Sequence, residues 1–179
     1  MTQTTPDTHA APARRLGIGL AAAMLLLVAT LAALPFVASR PRPAPDAAMT
    51  TLAGEARSIA ALAGRPVLVS FWSVTCTPCM REMPSKIALH RRYEAAGLAT
   101  LAIAMGYDDP GALADLAAAR RLPYDVVWDR DGSLAQAFDQ TQTTPTKFLI
   151  DPQGRIVRIY VGGTDFEDLG RRIEAMLAG

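Results

Sequence analysis

Two cysteines, Cys76 and Cys79, are the only ones in the chain, and two residues separate them where a predicted strand meets a predicted helix. The largely apolar run of residues 66–72 is typical of a buried strand, and a helical pattern follows to about residue 96. A cysteine in the first turn of a helix faces the positive end of the helix dipole, which favours its thiolate form. The pair therefore indicates thiol–disulfide exchange.

Two other uses of a cysteine pair fit the sequence less well. A structural zinc site needs about four Cys or His ligands, and the chain offers only His9, in the N-terminal tail, and His90, in the helical region, besides the cysteines. A structural disulfide that closes so short a loop gains little chain-entropy stabilisation. We therefore predict a redox-active disulfide, with no metal and no other cofactor.

The residues around the pair resemble the active site of the thioredoxin superfamily, in particular its membrane-anchored TlpA/ResA-like thiol-disulfide oxidoreductases. The resemblance rests on Phe71-Trp72, on the motif at residues 76–79, on residues 81–84, and on residues 144–151, which are similar to the cis-proline segment of the family. It covers roughly residues 49–179. The two motifs in this order are much more specific than either alone.

Strand and helix patterns alternate through residues 49–179 and end in a hairpin, with its turn at residues 151–154, and a final helix. This order predicts an α/β fold in which helices cover both faces of a mixed sheet. The resemblance implies that the sheet is thioredoxin-like. We assign residues 49–179 to this domain.

An uncharged run at residues 16–39 follows a short N-terminal tail, residues 1–15. A helix of this length, at about 1.5 Å per residue, can cross a bilayer. We interpret the run as one N-terminal transmembrane signal-anchor. The alternative is a cleaved signal peptide, whose apolar region would be shorter.

Residues 40–48 carry three prolines and are expected to form an extended, semi-rigid linker. Basic residues flank both ends of the apolar run, so charge does not fix the orientation. The resemblance implies a single-pass protein of the bacterial inner membrane with its catalytic domain in the periplasm.

Within the pair, we expect Cys76 to be the exposed attacking thiolate and Cys79, deeper in the helix, to be the resolving thiol. The resemblance further implies that Thr144, Pro145 and Trp72 form the substrate-binding side of the site. It also implies that the Thr144–Pro145 peptide bond is cis, so that the Thr144 backbone can pair with a substrate strand.

Glu82 follows Cys79 by three residues, so it lies one turn along the same helix face. Helical side chains lean toward the N-terminus, which would point Glu82 at Cys79. By resemblance, this carboxyl accepts the proton of Cys79; the alternative is a solvated surface glutamate. Thioredoxin carries a buried aspartate in the preceding strand where this chain has Ser70, which cannot act as a base.

Two further polar residues of the helix, Lys86 and His90, are expected on its surface. Neither the net charge of +1 nor the arrangement of basic residues indicates nucleic-acid binding. The leading hypothesis is a disulfide reductase that acts on oxidised cysteines of exported proteins and receives electrons from a membrane donor. The alternatives are a disulfide oxidase or isomerase, and a binding module that uses the pair as a redox switch.

Overall fold

A computed structural model describes residues 24–25, 27–28 and 41–179. The chain divides into two units, Met1–Arg40 and Pro41–Gly179. Apart from four exposed helical residues, the predicted tail and anchor lie outside the described residues. Within the described ranges, no helix has the length and apolar character needed to cross a bilayer. The anchor at residues 16–39 therefore stays a prediction, and the fold described below is that of the second unit.

The second unit contains eight strands and four α-helices. The strands are β1 (Arg42–Pro43), β2 (Ala48–Thr50), β3 (Ala56–Ser58), β4 (Val67–Trp72), β5 (Ala99–Ala104), β6 (Asp125–Trp128), β7 (Thr146–Ile150) and β8 (Arg155–Val161). The helices are α1 (Thr77–Tyr93), α2 (Pro110–Arg120), α3 (Ser133–Ala137) and α4 (Phe166–Leu177), and a short 3₁₀ helix spans Ala60–Leu62.

Six strands form a mixed sheet in the order β1-β8-β7-β4-β5-β6, and β2 and β3 form a separate hairpin. The pairs β4–β5 and β5–β6 are parallel, and the other pairs of the sheet are antiparallel. The helices α1, α2 and α4 pack on one face, and α3 and the 3₁₀ helix pack on the other. This arrangement confirms the predicted thioredoxin-like α/β fold with helices on both faces.

Strand β4 is central to this sheet and is buried along its whole length. Val67, Val69 and Phe71 face the cluster beneath α3, whereas Leu68 and Trp72 face the side covered by α1 and α4. A strand covered on both faces has no polar side, which explains why the sequence shows a continuous apolar run there. The exception, Ser70, is fully buried.

Part of the predicted linker belongs to the folded domain, which corrects the boundary drawn at residues 40–48. Arg42 and Pro43 pair with β8, opposite Ile156 and Arg155, and the Ala44 N–H donates to the Gly154 carbonyl at 2.8 Å. Proline is compatible with an edge strand because its missing N–H is not needed for an inner ladder. The extended conformation expected for a spacer is the one that this edge strand uses.

Candidate active site

The cysteine pair lies where α1 begins. Cys76 is the N-cap of α1, Pro78 stands in its first turn, and the Cys79 N–H donates to Cys76 Sγ at 3.2 Å. The two sulfurs form a disulfide in this structure. Cys76 is partly accessible, whereas Cys79 is only 5% exposed and packs against the sheet. An incoming thiol or disulfide therefore reaches Cys76 more readily than Cys79.

A buried carboxylate holds the loop that leads from β4 to Cys76. Asp108, which is 4% exposed, accepts hydrogen bonds from the Ser73 hydroxyl at 2.6 Å and from the Val74 N–H at 3.1 Å. Ser73 Oγ also accepts from the Thr75 N–H at 3.2 Å. These bonds link the loop after β5 to the loop after β4 and fix the approach to Cys76.

Sequence reasoning missed Asp108. Because β4 and β5 are adjacent parallel strands, the loops at their carboxyl ends lie side by side. A polar side chain in the loop after β5 can therefore form hydrogen bonds with the loop after β4. The next residue, Asp109, is the N-cap of α2, and its side chain accepts a hydrogen bond from the Ala112 N–H at 2.8 Å.

The Thr144–Pro145 peptide bond is cis, as the resemblance implies. Pro145 is buried and Thr144 is partly exposed. Thr146, the next residue, pairs with Phe71 in the antiparallel β4–β7 ladder. This register places the Thr144–Pro145 bond beside the end of β4 from which the loop to Cys76 departs.

Trp72 has a different position from the one predicted. Its side chain is 1% exposed and packs in the same cluster as Cys79 and Met83. A docked protein cannot contact a side chain buried to this extent, so the substrate-binding assignment of Trp72 is corrected. The indole forms the inner wall behind Cys79.

Glu82 is partly buried, and it is not the solvated glutamate of the alternative interpretation. Its carboxylate accepts from Lys147 Nζ at 2.5 Å and from the Thr164 N–H at 2.7 Å. These contacts connect α1 to β7 and to the start of α4. The assignment of Glu82 as the proton acceptor of Cys79 stays a prediction.

Lys86 is 4% exposed, so the surface position predicted for it is wrong. Its ammonium nitrogen lies 3.3 Å from Ser70 Oγ and above the rings of Trp72 and Tyr124, at 5.4 and 5.3 Å from their centroids. Burial lowers the pKa of Lys86 to about 7; the nearby charge of Lys147 adds to this effect, and Glu82 opposes it.

The other lysine of the chain, Lys147, is 1% exposed. Burial lowers its pKa, and the hydrogen bond that it donates to Glu82 opposes that change. The chain has two lysines and sixteen arginines, and both lysines are buried around Glu82. A lysine can lose its proton when buried and an arginine cannot.

His90 is also buried, which corrects its predicted surface position. It is 7% exposed, and its Nδ1 lies 3.1 Å from Thr100 Oγ1. Its Nε2 lies 3.0 Å from the Glu94 carboxylate. Within the part of the chain that the structure describes, no group of three or more His, Cys, Asp or Glu side chains is placed to hold a metal ion.

Known proteins share this arrangement of sequence and fold. The AhpC/TSA family model matches residues 41–159. The thiol-disulfide oxidoreductase ResA of Geobacillus kaustophilus is 33% identical over 134 residues, which cover 74% of this chain and 75% of that protein.

Two solved structures are similar along most of their length. A thiol:disulfide interchange protein of the thioredoxin family from Chlorobium tepidum has a TM-score of 0.70 and 26% identity, covering 77% of this chain and 97% of that one. StoA from Bacillus subtilis has a TM-score of 0.62 and 26% identity, covering 72% and 98%. These matches confirm the resemblance derived from the motifs. The chain belongs to the AhpC/TSA family and is a thiol-disulfide oxidoreductase with a thioredoxin-like fold.

Proposed function

We propose that this protein is a membrane-tethered reductase of the bacterial periplasm that reduces disulfides of exported proteins through Cys76 and Cys79. The observation that carries the proposal is the unequal burial of the two cysteines at the start of α1, beside the cis-proline segment. Relatives named thiol-disulfide oxidoreductase and thiol:disulfide interchange protein support the same chemistry.

The first step is attack by the Cys76 thiolate on a substrate disulfide. One substrate sulfur bonds to Cys76 and the other leaves as a thiolate, which takes a proton from water. The Cys79 N–H, which points at Cys76 Sγ, together with the helix dipole stabilises negative charge on that sulfur. Cys76 is the thiol suited to this step because it is the more accessible one.

The second step releases the substrate. Cys79 loses its proton and attacks Cys76 Sγ, so the Cys76–Cys79 disulfide forms and the second substrate sulfur leaves as a thiol. Two electrons have then passed from the protein to the substrate. We further propose that the exposed edge of the Thr144–Pro145 segment pairs with an extended strand of the substrate during both steps.

The residues between the cysteines favour electron flow from this protein to its substrate. Strongly oxidising members of this fold depend on a very low pKa of the first cysteine. Here Thr77 and Pro78 separate the cysteines, and neither brings a charge or an imidazole to stabilise the thiolate to that degree. A reductase outside the cytoplasm needs a supply of electrons, and an anchor at residues 16–39 would hold it beside a membrane electron donor.

The substrate classes that fit this proposal are cytochrome c precursors, copper-site assembly proteins and other exported proteins with oxidised thiols. All three present a disulfide to the same cysteine pair. A substrate-trapping experiment distinguishes the three classes.

The redox state of the pair in living cells tests the proposal. Free thiols are trapped by acid quenching and alkylation, and the full chain is then separated by the number of alkyl groups it carries. We expect most of the protein to carry two groups during normal growth, and to lose both when the membrane electron donor is removed. A pair that is oxidised in normal growth would contradict the reductase direction.

The same cells test the location. A thiol reagent that cannot cross the inner membrane should label the reduced domain, and the protein should sediment with the membrane fraction. A cytoplasmic protein with exposed cysteines is the matched control, because it must stay unlabelled in intact cells. Labelling of the domain only after lysis would contradict the periplasmic location.

A further inference from the structure

Lys86 occupies a buried site that has fewer hydrogen-bond partners than its polar atoms require. Its amine, when charged, has three N–H groups, and Ser70 Oγ is the one acceptor bonded to it among the described residues. Two neighbouring polar atoms, Trp72 Nε1 and the Tyr124 hydroxyl, are buried without a hydrogen-bond partner in the described chain. Polar groups of this kind are rare inside proteins and call for an explanation.

The site lies directly behind the cysteine pair. The rings of Trp72 and Tyr124, which flank the Lys86 amine, belong to the same buried cluster as Cys79. Lys86 follows Cys79 by seven residues, which places the two on one face of α1, two turns apart. Because helical side chains lean toward the N-terminus, the long lysine side chain extends back in the direction of Cys79.

The charged groups around Lys86 come from several elements. Glu82 and His90 lie on α1 itself, Lys147 is on β7, and Tyr124 precedes β6. Lys147 disfavours a second positive charge at this site and Glu82 favours one, while burial disfavours it most. Burial also raises the pKa of Tyr124, which keeps that hydroxyl neutral. The pKa of about 7 lets the Lys86 amine change charge near neutral pH.

We propose that Lys86 is the proton partner of Cys79, linked to it by the rings of Trp72 and Tyr124, which flank the amine and lie in one buried cluster with Cys79. The inference rests on the proposed function, since Cys79 needs to lose a proton only if the pair exchanges disulfides. The Glu82 carboxylate is already bonded to Lys147 and Thr164, so in this proposal the neutral Lys86 amine accepts the proton of the Cys79 thiol in its place. The resulting thiolate attacks Cys76 Sγ and displaces the substrate. When the disulfide is reduced again, the ammonium returns the proton to Cys79.

A proton-accepting role for Lys86 explains why an amine lies beside Ser70. Thioredoxin has a buried aspartate where this chain has Ser70, a residue that cannot take up a proton. The amine bonded to Ser70 Oγ supplies a group that can. Arginine cannot take the place of this lysine, because it does not deprotonate in proteins. Lys86 thus serves the second step as the group that takes up the proton of Cys79.

The titration of Lys86 in the two redox forms tests the proposal. The full chain is labelled with ¹³C at the lysine ε-carbon, and because the chain has two lysines it gives two signals. The Lys86 signal is assigned as the one missing from Lys86→Met. We expect its titration midpoint to rise by about one pH unit on reduction of the disulfide, because a thiolate at Cys79 favours the ammonium. An identical midpoint in both forms would overturn the proposal.

The reciprocal measurement follows Cys79. In Cys76→Ser, the rate of Cys79 alkylation by iodoacetamide is recorded against pH, with and without Lys86→Met. We expect Lys86→Met to slow alkylation near pH 8 by about tenfold, equivalent to a rise of about one pH unit in the Cys79 titration. Arg81→Met, which removes an exposed cation from the same helix, should leave the profile unchanged. Equal rates with and without Lys86 would overturn the proposal.

Neither measurement needs a substrate. A chain that shows the coupling but reduces no disulfide would contradict the proposed function and leave the coupling intact. A chain that reduces disulfides without the coupling would contradict only the role of Lys86.

Discussion

Replacing Cys76 by serine will abolish the reduction of protein disulfides, whereas replacing Cys79 by serine will trap the substrate on the protein. Cys76 is the accessible N-cap residue of α1, and Cys79 is 5% exposed. A serine at position 76 has no thiolate to attack with, so we expect activity to fall by at least about 10³-fold, the scale seen when a nucleophile is removed. Cys79→Ser keeps the first step and loses the second, so a mixed disulfide accumulates.

The measurement is the reduction of insulin disulfides by each variant, followed by the intact mass of the protein under non-reducing conditions. Cys79→Ser should gain the mass of one substrate chain, and Cys76→Ser should gain none. Thr77→Ser is a matched control, since it changes a side chain between the cysteines without removing a thiol. Trapping by Cys76→Ser and not by Cys79→Ser would reverse the assignment of the two thiols.

Replacing Lys86 by methionine will stabilise the folded protein at neutral and acidic pH. The shift of the Lys86 pKa from its ordinary 10.5 to about 7 corresponds to roughly 5 kcal/mol of unfavourable burial, at about 1.4 kcal/mol per pH unit. Methionine has a similar shape and no charge. It leaves the Ser70 hydroxyl without a partner, which costs about 1 kcal/mol. We therefore expect a net gain of about 3–4 kcal/mol in the free energy of unfolding.

The gain depends on pH in a defined direction. The pKa of Lys86 is lower in the folded state than in the unfolded state, so between about pH 7 and 10.5 the unfolded chain binds a proton that the folded chain does not. The stability of the native sequence therefore rises with pH across this window. The advantage of Lys86→Met is complete below about pH 7, shrinks through the window and is lost above it.

Urea unfolding at several pH values measures this effect, with the disulfide kept intact in both proteins. Arg81→Met is the control, because an exposed cation on the same helix should change stability by no more than about 0.5 kcal/mol. A Lys86→Met protein that is less stable than the native sequence at pH 6 would show that the buried amine stabilises the fold. The expected result means that the fold retains a destabilising residue, as is common at functional sites.

The sequence predicted the elements around the cysteines well, because their signals are local. The apolar run of β4 and the turn before β8 each depend on neighbouring residues. The edge strand Arg42–Pro43 was missed because its proline content is equally typical of a spacer. Its pairing with β8 is a contact between distant parts of the chain, which no local pattern reveals.

Two residues on the buried face of α1, Lys86 and His90, were predicted at the surface because their side chains can carry a charge. Cys79, Met83, Lys86 and His90 follow the helical spacing of one face, and all four are at most 8% exposed. The spacing alone predicts burial for Lys86 and His90, but a charged residue is ordinarily found at the surface. The cluster that buries them comes from β4 and from the segment before β6, and it could not be foreseen from the helix itself.

The reduction potential of the Cys76–Cys79 couple decides whether this protein donates or accepts electrons. The full chain is equilibrated with buffers of defined thiol–disulfide ratio, and the fraction of protein with a disulfide is measured by alkylation and mass. A reductase should have a potential near that of thioredoxin, about −270 mV. A value near that of the strong oxidant DsbA, about −120 mV, would contradict the reductase direction and favour a disulfide oxidase.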